Sequence, residues 1–392
     1  MKILVAGGGS GGHVTPAIAV VQEIHKVRPK AVVRFWTDKK YHANVVKITT
    51  LNGVNMRIQK IPAGKFRRYT HMKMWDYIHP NGWGILGKNM VDFFRVIAAV
   101  IVSVWRMIWW RPDVVFLKGG YVSLPVGLAA GFLRVPYVIH ESDATLGLTS
   151  RVLAKGAKKV ALGMPPNGNM KDDPKFRWVG IPVNEMYHKI TEVDRRKLVR
   201  ELELDPNRPL VLATGGSQGS MHINDAIGAI LPELLKIAQV VLIAGRNKYQ
   251  ETIGLKDYEV WEKGKMKSDF RLFEFTTEMD KLIGAADIIV SRAGMTTIAE
   301  MAAMQKAVIL IPYGVLPGKH QSKNAKMLAD EGAAKVIEDE ELVADPNELL
   351  ADVKYLVKHV DARREMARKL YGLAKPEAAK ELADIILEVV KK

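Results

Sequence analysis

The chain has 392 residues, 48% hydrophobic and 26% charged, which describes a globular protein with enough length for two domains rather than one. It contains no cysteine. That excludes disulfides, thiol nucleophiles, iron–sulfur clusters and cysteine-bound zinc, and suits a reducing, cytosolic compartment. A net charge of +16 calls for an anionic partner, yet no zinc-finger spacing or RNP-like aromatic strand points to nucleic acid.

MKILVAGGGSGGHVTPA opens the chain as a buried strand running into Gly7, Gly8, Gly9, Gly11 and Gly12, then His13. With a strand at the start, no signal peptide is expected ahead of it. A helix is expected over 16–27 after Pro16, then a strand at 32–37. Gly7-x-Gly9-x-x-Gly12, with Asp38 after the second strand, fits a dinucleotide fingerprint. Against redox chemistry stand His13 and Pro16 directly after the last glycine, and a second, different glycine turn later in the chain.

Residues 60–118 carry ten Lys or Arg against three acids, and five of the eight tryptophans. Within them VDFFRVIAAVIVSVWRMIWWRPD predicts a helix over 90–110. Its uncharged run, Val96 to Trp105, is half the length a spanning helix needs. Arg95, Arg106 and Arg111 bracket the run, as in a helix lying in an anionic membrane interface; the alternative is a core helix whose arginines snorkel to solvent. DVVFLKGGY, YVIHE and KKVALG continue the rhythm of a parallel sheet with crossover helices.

A proline- and glycine-rich stretch at 164–184 marks the expected boundary between domains 1–175 and 176–375. PLVLATGGSQGSMHIN then repeats the strand, glycine turn and helix start with Gly215, Gly216 and Gly219. Strands are expected at 240–245, 270–275, in DIIVSRAG and in AVILIPY; helices at 221–237, 279–285, 296–304 and 322–331. Pro376 starts a last amphipathic helix, 376–392, assigned to the first domain. The fold class is α/β: two Rossmann-like parallel-sheet domains facing across a cleft, with glycine turns that bind phosphate through helix N-termini.

In SRAGMTTIAE, Thr296 and Thr297 are candidate caps for a helix whose N-terminus accepts a diphosphate, and Glu300 can accept ribose hydroxyls. His320, Gln321 and Asn324 are suited to sugar hydroxyls or to a capped helix start. His13, beside the first turn, is the candidate general base and Glu141 its rival.

GGGSGGHVTPA, GGYVSLP, IHESDATLGLTSR, GGSQGS, SRAGMTTIAE and HQSKNA follow the order and spacing of the MurG-type glycosyltransferases, and the resemblance covers essentially the whole chain. It implies the GT-B fold, no cofactor and no metal. It also implies inverting transfer of N-acetylglucosamine from UDP-N-acetylglucosamine to the muramoyl sugar of polyprenyl-diphosphate-linked lipid I, at the cytoplasmic membrane face. A diacylglycerol glycosyltransferase and a non-catalytic nucleotide-sugar-binding protein are the alternatives. On the donor side the resemblance implies Ser217, Gln218 and Gly219 at the diphosphate, continued by Arg292, Gly294, Met295 and Thr296. Thr276 falls at the uracil, Glu300 at the ribose, and His320, Gln321 and Asn324 at the sugar. On the acceptor side it implies Gly9, Ser10, Gly11 and Gly12 at the lipid diphosphate, with His13, Tyr121, His140, Glu141, Asp143 and Ser150 around the acceptor sugar. The chain departs from the usual pattern in three motifs. His140-Glu141-Ser142-Asp143 stands for HEQN, Ser150 for an asparagine, and Asn184 for an arginine.

Overall fold

The structure, a computed structural model, describes every residue except 10, 65–82, 144, 167, 217–218, 247, 254–268, 315–319 and 392; of 83–86 and 391 the backbone alone is described. Two compact units form: Met1–Asn184 together with Lys375–Lys392, and Glu185–Ala374.

The first unit holds a seven-stranded parallel sheet in the order β3-β2-β1-β4-β5-β6-β7. Its strands are β1 Lys2–Ala6, β2 Val32–Thr37, β3 Arg57–Lys60, β4 Val114–Leu117, β5 Tyr137–Glu141, β6 Lys159–Leu162 and β7 Phe176–Trp178. β4 and β5 are buried along their whole length, as continuous apolar runs require when helices cover both faces. β7 pairs with β6 through Val160–Phe176 and Leu162–Trp178, so the first unit runs on past 175 to Asn184. The helix Ala378–Lys391 returns to this unit and buries Leu382, Ala383, Ile385 and Ile386 against the core around Ile3, Val5, Ile18 and Ile24. Pro376 lies just ahead of it.

The second unit is a six-stranded parallel sheet in the order β10-β9-β8-β11-β12-β13. Its strands are β8 Leu210–Thr214, β9 Gln239–Ile243, β10 Phe270–Phe273, β11 Ile288–Ser291, β12 Ala307–Leu310 and β13 Lys335–Val336. Two helices of the first unit begin earlier than expected. The helix after β1 starts at Gly11 rather than at Pro16, which puts the proline in its second turn. The helix expected from residue 90 runs from Trp83 to Trp110.

Each sheet has one point at which the strand order reverses, between β1 and β4 and between β8 and β11. Open α/β sheets bind ligands outside the carboxyl ends of the strands at such points. In both units the two strands flanking the switch end in glycine turns, each opening a helix: Gly7–Gly12 and Gly119–Gly120 in the first, Gly215–Gly219 and Gly294 in the second.

Candidate functional site

At the first switch point β1 delivers the chain into Gly7–Gly12. Gly9 adopts φ +81°, open to glycine at little cost, and a Cβ there would stand 2.6 Å from the Tyr121 ring. Its N–H donates to Asp38 Oδ1 at 3.1 Å, and Asp38 Oδ2 accepts from Tyr41 N at 3.2 Å. Asp38, itself buried, therefore braces the turn. The Tyr121 hydroxyl is pushed up to about 12 by burial and by the charge and hydrogen bond of Asp38, so it stays neutral and able to donate.

Gly11 and Gly12 begin the helix Gly11–Val27 and carry His13 on its first turn. His13 Nδ1 lies 3.1 Å from the carbonyl oxygen of Lys118 at the end of β4. A carbonyl only accepts, so Nδ1 carries the proton and Nε2 keeps its lone pair. Gly119 and Gly120 follow at φ +74° each, and a Cβ on Gly120 would stand 3.1 Å from His13 Nε2. The glycine thus leaves space beside the basic nitrogen. Desolvation first, then the Lys118 charge, lower the His13 imidazole to about 4, with Glu141 opposing.

β5 ends in His140 and Glu141. His140, fully buried, donates from Nε2 to Gly180 O at 2.8 Å, while its Nδ1 and the Ser150 hydroxyl are buried without hydrogen-bond partners. Burial, then Lys118, hold the His140 ring well below the usual imidazole range. Glu141 is bracketed by backbone: Oε1 accepts from Ser142 N (3.0 Å) and Asp143 N (3.3 Å), and Oε2 from Gly147 N (3.0 Å). These bonds fold the loop after β5. The first unit thus gathers Gly9, His13, Tyr121, His140, Glu141 and Ser150 around the switch point, with Asp143 on the loop beyond; Ser10 lies outside the described residues. Asn184, the third departure, hydrogen-bonds Asn52 within the same unit.

At the second switch point Gly219, at φ +71°, packs so tightly that a Cβ would stand 2.4 Å from Ala244 O. Ser217 and Gln218 lie outside the described residues. Ser220 caps the helix Met221–Leu235 by accepting from Ile223 N at 3.4 Å, and also accepts from Arg292 Nη2 at 2.6 Å. Arg292 further bonds Ile311 O (3.2 Å) and forms an ion pair with buried Asp339, which accepts from His222 Nδ1 at 2.8 Å on its other oxygen. The Arg292 guanidinium, expected at a donor diphosphate, is engaged in bracing the Ser220 turn. Ser220, His222 and Asp339 were not expected from sequence; Asp339 lies 47 residues from Arg292 and carries no local motif.

Gly294 itself is the N-cap of the helix Met295–Ala303, and no side chain caps it. Thr296 and Thr297 accordingly lie inside the helix, which corrects their reading as caps. Glu300 lies further along the same helix, and burial alone raises its carboxyl to about 8. The Tyr187 hydroxyl is raised beside it, by burial first and then by the Glu300 charge. Gln321 Oε1 accepts from Tyr313 N at 2.9 Å, and the Tyr313 ring lies 5.3 Å from the Arg292 guanidinium. Asn324 is buried one turn beyond, with His320 at the start of that helix and Met295 buried. Thr276, after β10, accepts through Oγ1 from Glu278 N at 2.9 Å.

Two parallel α/β sheets with glycine-opened helix N-termini at both switch points define a protein of GT-B-like fold. Residues 3–162 match the glycosyltransferase family 28 N-terminal domain and residues 210–384 its C-terminal domain. The chain belongs to glycosyltransferase family 28. It is 32% identical over its full length to 94% of the UDP-N-acetylglucosamine–N-acetylmuramyl-(pentapeptide) pyrophosphoryl-undecaprenol N-acetylglucosamine transferase of Anaeromyxobacter sp. strain Fw109-5. The enzyme of that name from Listeria welshimeri is 30% identical, with both chains covered in full. Among solved structures, MurG of Acinetobacter baumannii matches with a TM-score of 0.71 at 24% identity over 99% of each chain. The UDP-GlcNAc 2-epimerase of Neisseria meningitidis matches at 0.64 and 13% identity over 99% of this chain and all of its own, a likeness of fold alone.

Proposed function

We propose that the chain transfers N-acetylglucosamine from UDP-N-acetylglucosamine to the muramoyl sugar of lipid I, with inversion at the anomeric carbon. The reading is carried by His13, whose tautomer is set by the Lys118 carbonyl and whose Nε2 opens toward the space that Gly120 leaves. The relatives matched over the whole chain supply the substrate class. The first unit binds the acceptor and the second the donor. His13 Nε2 takes the proton of the acceptor hydroxyl as that oxygen bonds to the anomeric carbon. The bond from that carbon to the UDP oxygen breaks, and UDP leaves with the electron pair. The N–H groups at Gly215–Gly219 and at the helix start after Gly294 meet the charge growing on the diphosphate, while Gly9–Gly12 meet the lipid diphosphate. Glu300 accepts the ribose hydroxyls, its carboxyl releasing its proton to solvent as they bind. Glu141, held by three backbone N–H groups, supports the loop rather than acting as the base.

The helix Trp83–Trp110 supplies a membrane contact in this reading. Its stripe of Phe94, Ile97, Ile101, Trp105 and Trp109 is exposed, Trp109 by 75%, while Val96, Ala99, Met107 and Trp110 on the other side are buried. A continuous exposed apolar stripe ending in tryptophans fits the lipid–water interface. Among the described residues no helix is long and apolar enough to cross a membrane. The basic residues Lys65, Arg67, Arg68 and Lys73 lie outside the described residues.

Labelled UDP-N-acetylglucosamine incubated with a lipid I analogue tests the activity. Transfer to that acceptor and not to diacylglycerol is expected, and His13→Ala should lower kcat about 100-fold or more. Sugar binding without turnover, or near-normal turnover in His13→Ala with loss in Glu141→Ala, would overturn the reading.

A further inference from the structure

Lys118 enters the sequence reading only as one of ten basic residues between 60 and 118, yet it is among the most deeply buried large side chains of the molecule, 1% exposed. Its ammonium donates to Ser142 Oγ at 2.6 Å. Glu141 and Asp143 act on it as counter-charges, while desolvation, the larger effect, lowers it to about 8. Ser142 and Asp143 are two of the positions at which the chain departs from the pattern of the enzymes it resembles. The hydroxyl at 142 receives the ammonium, and the carboxylate at 143 adds a negative charge beside it. The departures and the buried lysine thus form one unit.

That unit reaches His13 twice. The Lys118 backbone carbonyl accepts a hydrogen bond from Nδ1–H, and the Lys118 charge acts on the ring. The groups facing His13 are Lys118 from the end of β4 and His140 and Glu141 from the end of β5. Of these, the ammonium opposes a positive imidazole and the carboxylate favours one. We propose that Lys118 is a positioning residue for the transfer reaction, its carbonyl fixing the His13 tautomer and its ammonium, buried against Ser142, opposing a positive charge on the ring. The proposal rests on His13 being the base, since an imidazole already protonated accepts no proton.

The test is a pH titration of the His13 ring by nuclear magnetic resonance in the unliganded full chain, with His13→Ala supplying the assignment. The ring is expected neutral and Nδ1-protonated down to about pH 5. In Lys118→Met the midpoint should rise by about one pH unit or more, a tenfold gain in proton affinity, because the ammonium then no longer opposes Glu141. If Lys118→Met proves unstable, Lys118→Met/Asp143→Asn removes the ammonium together with one counter-charge and carries the same measurement. An unmoved midpoint in either folded variant overturns the proposal, whatever the fate of turnover. The pH profile of kcat separates the two ideas. An acidic limb that follows the magnetic resonance midpoint supports both. A midpoint that moves while the limb stays put removes His13 as base and leaves the effect of Lys118 on the ring standing.

Discussion

Glu300 is raised to about 8 by burial, so across the neutral range its carboxyl is mostly protonated in the folded chain and ionised in the unfolded one. A folded pKa above the unfolded value of 4.5 means stability is fullest below 4.5 and declines as pH rises towards 8. Glu300→Gln should therefore raise Tm by about 4 °C at pH 8.5 and leave it nearly unchanged at pH 5. The same variant should weaken UDP binding about tenfold, read by calorimetry, because an amide replaces one of the acceptors offered to the ribose. Arg292 makes a different prediction. Its guanidinium is shared by Ser220, Ile311 and Asp339, so Arg292→Met strands a buried carboxylate and should cost about 3–5 kcal/mol in urea unfolding. A loss of donor affinity with full stability would instead place Arg292 on the ligand. His13 and Glu300 could be put forward from the sequence because each lies within a few residues of a glycine turn. Lys118, Asp339 and His222 were not, because the partners that give them meaning lie 24 to 117 residues away.

The long helix Trp83–Trp110 and the glycine turns are the elements on which the functional reading depends most. The apolar run from Val96 to Trp105 announced a helix but left open which side met the core, since apolar residues occupy both. Packing chose Val96, Ala99, Met107 and Trp110 and left Ile101, Trp105 and Trp109 outside. Trp105→Ser/Trp109→Ser should lower binding to anionic vesicles about tenfold in co-sedimentation without lowering Tm, because neither ring is part of the core. Unchanged binding would return the stripe to a protein partner. The central strands were readable as continuous apolar runs. β3 (RIQK), β7 (FRW) and β13 (KV) were not, being two to four residues long with polar or aromatic members and formed only by pairing with a neighbour.

For the whole molecule, the net charge of +16 bears on association rather than on fold. Binding to anionic vesicles should fall steeply between about 0.05 and 0.5 M salt as screening shortens the reach of the basic residues, leaving a residual set by the tryptophan stripe. Salt-insensitive binding would remove the electrostatic contribution. What the sequence determined by itself was the local grammar: buried parallel strands, glycine turns that open helices, and two units in one chain. Those features follow from neighbouring residues, since apolar runs, glycine freedom and helix starts act over a few positions. The tertiary structure decided which strands flank each switch point, the extension of the first unit past β7, and the return of the last helix to it. It also decided that the ammonium of Lys118 would be buried against Ser142 beside Glu141, His140 and His13. Burial and charge act through space, and only the folded chain sets those distances.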